Sequence, residues 1–423
     1  MKLAIISDTH FGDAAGTMVA RTPSGRYIPG PKYDAFRKAA GTGNDYLILN
    51  GDILDFAMSS YDVAYKTART FFRQIQRDRI AGQIVYVPGN HDFEIWQIVE
   101  HEVNIIYQMT SGQMPRGFRM SVPGFIDDRK RPGKRGLVLP GVKRGRVRGK
   151  LGYGGLFLDQ ITAPGPRTRF TFAYPNLYLV TDDEALLVTH GHYIDGYWSA
   201  LSTWLPRIFG HDIAVADPMS LGDMVAINFP STQLACSGIG QAGVLTDTIH
   251  SLQNQIQRKE FDDLNVYLER VQRTAEKAIG GSRMNLKRWI AGVCMAWARK
   301  RIVEQLGKIE DPRETAGFIH RPAVRERLRH FYEGSAVQIE ELNRQYANNI
   351  PDPTHIIIGH THQPVPWKSA EPTHLKSSRG RTVLVCNTGG WLMSASQDGT
   401  KHFNGAEVFS YETGKGFSSE SIQ

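Results

Sequence analysis

The chain contains a series of short apolar runs, each of which stops abruptly at a polar side chain. Five runs rich in aliphatic and β-branched residues are followed within two residues by aspartate, asparagine or histidine: residues 2–7, 46–50, 83–89, 185–189 and 355–359. A sixth run of the same composition covers residues 382–387. Runs of this length without polar alternation are typical of strands that are buried on both faces. The pattern therefore predicts an α/β protein.

The loops that follow these runs are predicted to meet. Residues 63–81, between the second and third runs, carry apolar side chains at helical spacing. A strand, a helix and a strand in succession favour parallel pairing of the two strands. Parallel strands deliver the loops at their carboxyl ends to one edge of the sheet, where α/β proteins bind ligands. We therefore expect the following side chains to lie together: Asp8, His10, Asp52, Asn90, His91, His190, His360 and His362.

Two of these loops, SDTH and GHTH, place polar residues two positions apart. On extended backbone this spacing points both side chains to the same side. We therefore expect each pair to face one polar site. Glycines at positions 51, 89 and 359 allow the backbone to approach closely at those turns.

The residue types at the strand ends fit transition-metal ligation. Carboxylate and imidazole together suit Mn, Fe, Zn or Co, whereas Ca and Mg prefer shells of oxygen alone. The two oxygens of Asp52 could bridge two ions, and ions about 3.5–4 Å apart clamp a phosphoryl group for in-line displacement. The alternative is that these are ordinary turn residues and hydrogen-bonded histidines. The pattern predicts two divalent transition-metal ions, with manganese as the first expectation.

The polar residues at the strand ends belong to five short sequence blocks. They read DTH (8–10), GDILD (51–55), GNHD (89–92), HGH (190–192) and GHTH (359–362). With these blocks the sequence resembles the calcineurin-like metallophosphoesterase superfamily. The resemblance implies a two-sheet sandwich flanked by helices, and it covers residues 1–103, 175–197 and 352–423.

The resemblance also implies a role for each block. Asp8, His10 and His362 would hold one metal, Asn90, His190 and His360 would hold the other, and Asp52 would bridge them. His91 would donate a proton or contact the transition state, while Asp55 and Asp92 would support it and the metal ligands. From the residues alone, His192 either contacts substrate or the surroundings of the ligands, or is a solvated loop histidine.

Within the superfamily, IIGHTHQPV and CNTGGWL resemble the bacterial branch that includes UDP-diacylglucosamine pyrophosphohydrolases. Members of that branch also carry a helical lid before the GHTH block. They usually have arginine where this chain has His91, and their lid is shorter.

Two long segments interrupt the strand pattern. Residues 104–174 are rich in Gly, Pro and Arg, which predicts a loop or flexible hairpin. Residues 198–351 predict an inserted helical cap, with helices at about 247–279, 284–307 and 322–349. The predicted phosphoesterase domain therefore comprises residues 1–197 and 352–423.

Positive charge is concentrated in one of these segments. The chain has 50 Lys and Arg against 42 Asp and Glu, and residues 129–150 contain ten basic residues and no acid. This run could steer an anionic substrate, contact an acidic membrane surface or bind nucleic acid, or it could be a solvated loop. Residues 287–301 have the pattern of an interfacial amphipathic helix or of a core helix of the cap.

The cysteine spacing and the length of the apolar runs indicate where in the cell the protein is expected. Cys236, Cys294 and Cys386 are far apart and have no paired spacing, which favours a reducing compartment. The longest uncharged apolar run, residues 289–298, is about half the length needed to span a bilayer. We expect a cytoplasmic protein, with peripheral membrane contact as an alternative.

These observations predict a dinuclear-metal-dependent hydrolase of a phosphoester or pyrophosphate bond. A metal-bridging hydroxide would attack, His91 would assist the departing group, and the cap would select the substrate. The expected substrate is a phosphorylated small molecule or a lipid-linked phosphate. The alternatives are a nuclease or phosphodiesterase acting on nucleic acid, which the positive charge favours, and a non-catalytic scaffold that keeps only the fold.

Overall fold

The apolar runs form the strands of two sheets in a computed structural model of the protein. The structure describes residues 1–130, 136–140, 169–199, 220–236, 317–369, 373–395 and 400–423, with a few short pieces between them. In chain order the strands are β1 (Lys2–Ile6), β2 (Val19–Arg21), β3 (Tyr27–Pro29), β4 (Asn44–Leu49), β5 (Ala81–Tyr86), β6 (Gly124–Asp127), β7 (Gly136–Val138), β8 (Arg146–Val147), β9 (Lys150–Leu151), β10 (Arg169–Phe172), β11 (Asn176–Val180), β12 (Ala185–Thr189), β13 (His355–Ile358), β14 (Thr373–Lys376), β15 (Thr382–Asn387), β16 (Met393–Ala395), β17 (Lys401–Phe403), β18 (Ala406–Glu412) and β19 (Gly416–Ile422). The helices are α1 (Tyr33–Ala40), α2 (Tyr61–Arg77), α3 (Phe93–His101), α4 (Tyr107–Thr110), α5 (Leu221–Cys236) and α6 (Pro322–Tyr346), with a π-helical turn at Glu102–Ile106 and 3-10 turns at His192–Ile194 and Phe318–His320.

The first sheet has the strand order β10-β5-β4-β1-β18-β19. Its strands β1, β4, β5 and β10 are parallel, so the loops after them leave the same edge. The predicted strand, helix, strand unit is confirmed, because β4 and β5 pair in parallel on either side of α2 in the chain.

The second sheet has the order β14-β15-β13-β12-β11-β6-β7. Its strands β12, β13 and β15 are parallel. The six apolar runs are thus divided equally between two sheets, although the strand pattern alone suggests one. Strands buried on both faces have the same composition in either sheet, so composition does not separate them.

The two sheets pack face to face, as the family resemblance implies. Leu3 and Ile5 of β1 belong to an apolar cluster that also contains Val188 and Ile357 of the second sheet. The alternate residue Ile6 belongs to a second cluster that includes side chains of α1 and α2. Each fully buried side chain of this size contributes about 1.5–3 kcal/mol to stability. Burial on both faces therefore explains why the strands read as continuous apolar runs.

Helix α2 confirms the helical pattern of residues 63–81 but ends earlier. Its apolar face buries Phe71 and Phe72, and Ser60 caps its start by accepting a hydrogen bond from the amide of Val63 at 3.5 Å. The helix ends at Arg77 because β5 begins at Ala81 and the intervening residues must turn. Among the described helices, none is long and apolar enough to cross a membrane.

The described parts of residues 104–174 include regular strands, and the expectation of a loop is wrong for β6 and β10. Strand β10 pairs in parallel with β5, and β6 pairs in parallel with β11. Phe170 and Phe172 of β10 are buried. Strands of four residues are too short for an apolar pattern to stand out beside glycine and proline. The hairpin expectation agrees with the antiparallel pairing of β6 and β7.

Part of the predicted cap is described. Helix α6 confirms the helix predicted at 322–349 and ends at Tyr346, where Ala347 adopts a left-handed conformation with φ 51°. The helices predicted at 247–279 and 284–307, and the amphipathic pattern at 287–301, lie almost wholly outside the described residues. The division into a phosphoesterase domain and a cap remains a prediction.

Arg129, at the start of the basic run, is a structural residue. It is buried, its Nε donates to Asp127 Oδ1 at 2.8 Å, and its Nη1 donates to the Asn349 carbonyl oxygen at 2.7 Å. The solvated-loop alternative is therefore wrong for Arg129, which ties the chain after β6 to the chain after α6. Most of the remaining run lies outside the described residues.

Candidate metal centre

The polar residues after five strands converge where the carboxyl ends of the two sheets meet. Asp8 and His10 follow β1, Asp52 follows β4, Asn90 and His91 follow β5, His190 follows β12, and His360 and His362 follow β13. All eight side chains are buried. The structure therefore brings together every residue that the sequence predicts at the strand ends.

Three of them form a first donor group: Asp8, His10 and His362. The Nε2 atom of His362 lies 3.2 Å from Asp8 Oδ1 and 3.1 Å from His10 Nε2. The remaining edge, from His10 Nε2 to Asp8 Oδ1, is 3.8 Å. Two imidazole nitrogens and a carboxylate oxygen thus point at one small volume.

A second donor group consists of Asp52, His190 and His360. The Nε2 atom of His190 lies 3.1 Å from Asp52 Oδ2 and 3.0 Å from Asn90 Oδ1. Asn90 Nδ2 has no hydrogen-bond partner among the described residues. The histidines of GHTH are therefore divided, since His362 belongs to the first donor group and His360 to the second.

Neighbouring acceptors determine which ring nitrogen each histidine presents. His190 Nδ1 donates to the Asn50 carbonyl oxygen at 3.0 Å, and His10 Nδ1 lies 3.0 Å from Asp55 Oδ2. Both rings therefore present Nε2 to the donor groups. His360 differs, because its Nε2 lies 3.3 Å from Asp195 Oδ2 and leaves Nδ1 for the second donor group.

The donor groups fit divalent metal ions. Nitrogen and oxygen ligands lie about 2.0–2.2 Å from a transition-metal ion, so two ligands of one ion are roughly 3.0–3.5 Å apart. Most of the donor separations above fall in or near this range. Without a cation, the paired nitrogens of His10 and His362 would have to share one proton. The chemistry of both groups therefore matches divalent cations.

The backbone of the ligand loops is not extended, and that expectation is wrong. Asp8 and His10 have φ values of 51° and 43°, and His360 and His362 have 64° and 54°. Left-handed backbone costs about 1–3 kcal/mol per residue and persists where the surroundings enforce it, which happens most often at functional sites. Here the amide of His10 donates to the Asp52 carbonyl oxygen at 2.9 Å. The loops thus turn sharply, and hydrogen bonds between them hold the turn.

The glycines of the blocks allow close approach, as the sequence predicts. A Cβ atom at Gly359 would lie 2.2 Å from Asp8 Oδ2, and one at Gly89 would lie 2.3 Å from Asp52 Oδ1. A Cβ atom at Gly51 would meet the ring of His190 at 2.4 Å. Any side chain at these positions would push against a residue of the donor groups.

His91 stands beside the first donor group. Its ring centroid is 4.8 Å from that of His10, and its Nδ1 lies 2.9 Å from Asp55 Oδ1. His10, Asp55 and His91 also lie close enough to form a donor group. The hydrogen bonds from both Nδ1 atoms to Asp55 explain that proximity, and Nε2 of His91 is the ring nitrogen left for another partner.

Asp92 has a different position from Asp55. Its carboxylate accepts the amide of Ile53 at 2.7 Å, the amide of Gly89 at 2.6 Å and the hydroxyl of Tyr86. It therefore ties the GDILD loop to the GNHD loop and fixes the backbone that carries Asp52. Burial and the charge of Asp52 raise the pKa of Asp92 to about 6.

The other carboxylates are held in the charged form. Burial alone would raise the pKa of Asp8, but hydrogen bonds to His10 and His362 hold it below its usual range. Burial acts in the same way on Asp52, where the charges of His190 and His91 outweigh it and lower the pKa. Burial alone would lower the pKa of His190, whereas the charge of Asp52 raises it to about 9. The site is therefore a compact set of mutually stabilised charges.

His192 is buried, so its interpretation as a solvated loop histidine is wrong. Its ring centroid lies 5.7 Å from that of His190 and 6.4 Å from that of His360. Neither ring nitrogen has a hydrogen-bond partner among the described residues. Burial, together with the charges of His190 and His360, lowers the pKa of His192 well below its usual value. A neutral imidazole with both nitrogens unpaired thus lies next to the second donor group.

Three residues near the site carry no sequence signal. Asp195 supports His360, and the ring of Trp198 lies 6.1 Å from that of His91. The thiol of Cys236, at the end of α5, donates to the Asn90 carbonyl oxygen at 3.0 Å. Trp198 and Cys236 belong to the predicted cap segment, so described parts of that segment contact the GNHD loop.

Comparison with known proteins agrees with this arrangement. Residues 1–212, half of the 423-residue chain, match the family model for calcineurin-like phosphoesterases. The chain belongs to this family. No curated protein matches the chain. The family match ends before β13, so it does not include His360 and His362. In this calcineurin-like phosphoesterase both histidines lie in the same site as the matched residues. Family and site together support a metal-dependent phosphoesterase.

Proposed function

We propose that this phosphoesterase uses two metal ions to hydrolyse a phosphoester or pyrophosphate bond. The observation that carries the proposal is the position of Asp52. Its Oδ2 lies 3.1 Å from His190 Nε2 in the second donor group and 3.8 Å from His10 Nε2 in the first. A carboxylate that faces both groups favours a bridged pair of ions over two independent sites.

The ligand assignment follows the two groups. Asp8, His10 and His362 would hold one ion, Asn90, His190 and His360 would hold the other, and Asp52 would bridge them. When bound, the ions would supply an activated water and neutralise charge on the phosphoryl oxygens. Mixed carboxylate and imidazole ligands suit Mn, Fe, Zn or Co, and manganese is the first expectation among them.

His91 is the proposed acid or transition-state contact. Asp55 holds its Nδ1, so Nε2 is the nitrogen that would meet the departing oxygen of the substrate. A positioned histidine of this kind typically contributes about 10²–10⁴-fold to a rate. Asp55 and Asp92 support it indirectly, the first through the ring and the second through the loops.

The inserted segment is the proposed substrate selector. Trp198 packs edge-on against His91, and Cys236 contacts the backbone of Asn90 and His91. Groups in these positions would border the departing part of the substrate. We infer a phosphorylated small molecule or a lipid-linked phosphate. The resemblance to UDP-diacylglucosamine pyrophosphohydrolases makes a lipid-linked pyrophosphate one candidate, with peripheral contact to a membrane.

The two alternatives have less support. A nuclease is favoured by the excess of Lys and Arg. However, Arg129 in the basic run is engaged with Asp127 and backbone carbonyls. A non-catalytic scaffold would not need to retain two complete donor groups.

Hydrolysis of three substrates tests the proposal: p-nitrophenyl phosphate, bis-p-nitrophenyl phosphate and single-stranded DNA, each with and without Mn²⁺. We expect manganese-dependent release of p-nitrophenol from at least one ester, and about two metal ions per chain by elemental analysis. Cleavage confined to DNA would favour the nuclease. A protein that binds metal but leaves all three substrates intact would be a scaffold.

A further inference from the structure

We propose that Arg327 forms an anion subsite beside the metal centre, which holds a second negatively charged group of the substrate. This inference rests on the proposed function and extends it to a substrate class. The substrates would be phosphoesters or anhydrides that carry another phosphate or a carboxylate next to the bond that is cleaved.

Helix α6 places Arg327 next to the loop that supports His360. Leu328 and Phe331 are buried, and the ring of Phe331 stacks on that of Tyr193 with centroids 5.2 Å apart and planes 12° apart. This contact fixes α6 against the turn His192–Ile194. The guanidinium of Arg327 adjoins Gly196, where a Cβ atom would lie 2.9 Å from Nη1.

The guanidinium is only weakly bonded. Its Nη1 donates to Ser199 Oγ at 3.4 Å, and no carboxylate of the described residues lies within 4.0 Å of it. Arg129 shows the contrast, because it is buried and donates to a carboxylate and to two carbonyl oxygens. A partly buried cation without such partners is unfavourable unless a ligand supplies them. Burial accordingly lowers the pKa of Arg327.

Asp195 does not fill this role. Its charge acts on Arg327, but both of its oxygens already have partners. Oδ1 accepts the amide of Tyr197 at 2.9 Å, and Oδ2 lies 3.3 Å from His360 Nε2. These contacts also show that Arg327 lies close to the metal centre. Arg327 adjoins Gly196, the residue after Asp195, and Asp195 contacts the candidate metal ligand His360. An anionic group attached to a phosphate at the metal centre would therefore come within reach of Arg327.

The ligand chemistry follows from the guanidinium. Arginine presents a planar set of donors that matches two oxygens of one phosphate or carboxylate. Phosphate and carboxylate share this chemistry, so the experiment compares both.

Calorimetric titration of the manganese-loaded protein tests the subsite with three probes. Methylphosphonate carries one anionic group, methylenediphosphonate carries two phosphonates, and phosphonoacetate carries a phosphonate and a carboxylate. We expect the wild-type protein to bind at least one two-group probe more tightly than methylphosphonate. Arg327→Met should weaken that probe by about tenfold or more, because a charge-assisted hydrogen bond is lost. Arg327→Lys should weaken it less, since it keeps the charge without the planar donors.

Two controls separate binding from structure. Arg325 lies exposed on the same helix, and its guanidinium donates to the His374 carbonyl oxygen. Arg325→Met removes this charge and should leave all three affinities unchanged. Methylphosphonate affinity should stay within about twofold in Arg327→Met, since the metal centre is intact. Which two-group probe responds identifies phosphate or carboxylate as the second group.

Two results would overturn the subsite. Equal weakening of all three probes by Arg327→Met would mean that the residue acts through the fold, and no change in any probe would mean that no subsite exists. Failure of the proposed function has a different outcome. The wild-type protein would then bind the probes in an Arg327-dependent manner but release no p-nitrophenol in the presence of manganese.

Discussion

Asp55 and His91 are joined by a hydrogen bond of 2.9 Å between Oδ1 and Nδ1, and the other oxygen of Asp55 lies 3.0 Å from His10 Nδ1. One carboxylate therefore orients a proposed metal ligand and the proposed proton donor together. Burial alone would raise the pKa of Asp55, but the charge of His91 and the hydrogen bond to His10 hold it below its usual range. Asp55 would thus couple the geometry of the proposed ligand His10 to that of the proposed acid His91.

Asp55→Asn tests this coupling. An amide offers one acceptor where the carboxylate offers two, so one ring loses its support. We expect kcat/KM for p-nitrophenyl phosphate to fall about 10–100-fold, as is usual when the partner of a metal ligand is removed. Asp62→Asn is the matched control, because Asp62 is exposed and paired with Lys66 on α2. Steady-state kinetics of both variants provide the measurement, and equal activity would exclude the coupling.

Asp52→Ala and His91→Ala should separate metal binding from proton transfer. Asp52→Ala removes the proposed bridge, so turnover and paired metal binding should both disappear while the protein remains folded. His91→Ala should keep its metal content and lose about 10²–10⁴-fold in kcat. Elemental analysis and circular dichroism would be recorded beside the kinetics. Loss of metal from His91→Ala would mean that His91 is a ligand.

The strand-end residues of the site are predictable because each lies next to an unmistakable apolar run. Asp52, for example, comes three residues after β4, and His190 directly follows β12. Parallel strands must deliver such residues to one edge, so position in the sequence already implies proximity. The conformation of the loops is less predictable, since the left-handed residues His10 and His360 donate their amides to Asp52 and Asp8 of distant loops.

Residues that reach the site from irregular segments are not predictable in this way. Asp195 follows a 3-10 turn and Cys236 ends helix α5, and neither position has an apolar run before it that would mark it. The short strands β6 and β10 are missed for a related reason, because each has four residues and lies among glycine, proline and arginine. Their placement comes from tertiary pairing, which single-sequence periodicity does not contain.

Arg129→Met distinguishes a structural arginine from a substrate-steering one. The substitution leaves Asp127 buried without its ion-pair partner and two carbonyl oxygens without their donor. We expect the free energy of unfolding to fall by about 3–5 kcal/mol. KM for p-nitrophenyl phosphate should not change. Chemical denaturation provides the measurement, and the exposed Lys130→Met is the control. A raised KM at unchanged stability would restore the steering role.

His192→Leu tests why a buried imidazole lacks partners. Removing two unpaired nitrogens should leave the metal-free protein as stable as the wild type or more stable by about 1–3 kcal/mol. If the ring bonds the substrate, KM for p-nitrophenyl phosphate should rise about fivefold or more, with the manganese content unchanged. Lower stability together with an unchanged KM would assign His192 to packing alone.

Glu94 should make stability depend on pH in the neutral range. Burial raises its pKa from 4.5 to about 7, only partly offset by a hydrogen bond with Gln233, and Oε2 has no partner among the described residues. The folded chain therefore holds this proton more tightly than the unfolded chain. The stabilisation is complete below pH 4.5 and is lost as the pH rises through about 7. The titratable groups that face the Glu94 carboxyl include Tyr61, Tyr65 and Cys236. None of these three carries a positive charge that would lower the pKa of Glu94.

Glu94→Gln removes this titration and keeps the shape of the side chain. We expect its midpoint of thermal unfolding to exceed that of the wild type at pH 8 and to match it at pH 5, because the wild-type carboxyl is neutral only at the lower pH. Glu341→Gln, at an exposed position of α6, is the matched control and should show no such dependence. Thermal unfolding at intervals between pH 5 and pH 8 gives the profile, and parallel curves for wild type and Glu94→Gln would contradict the raised pKa.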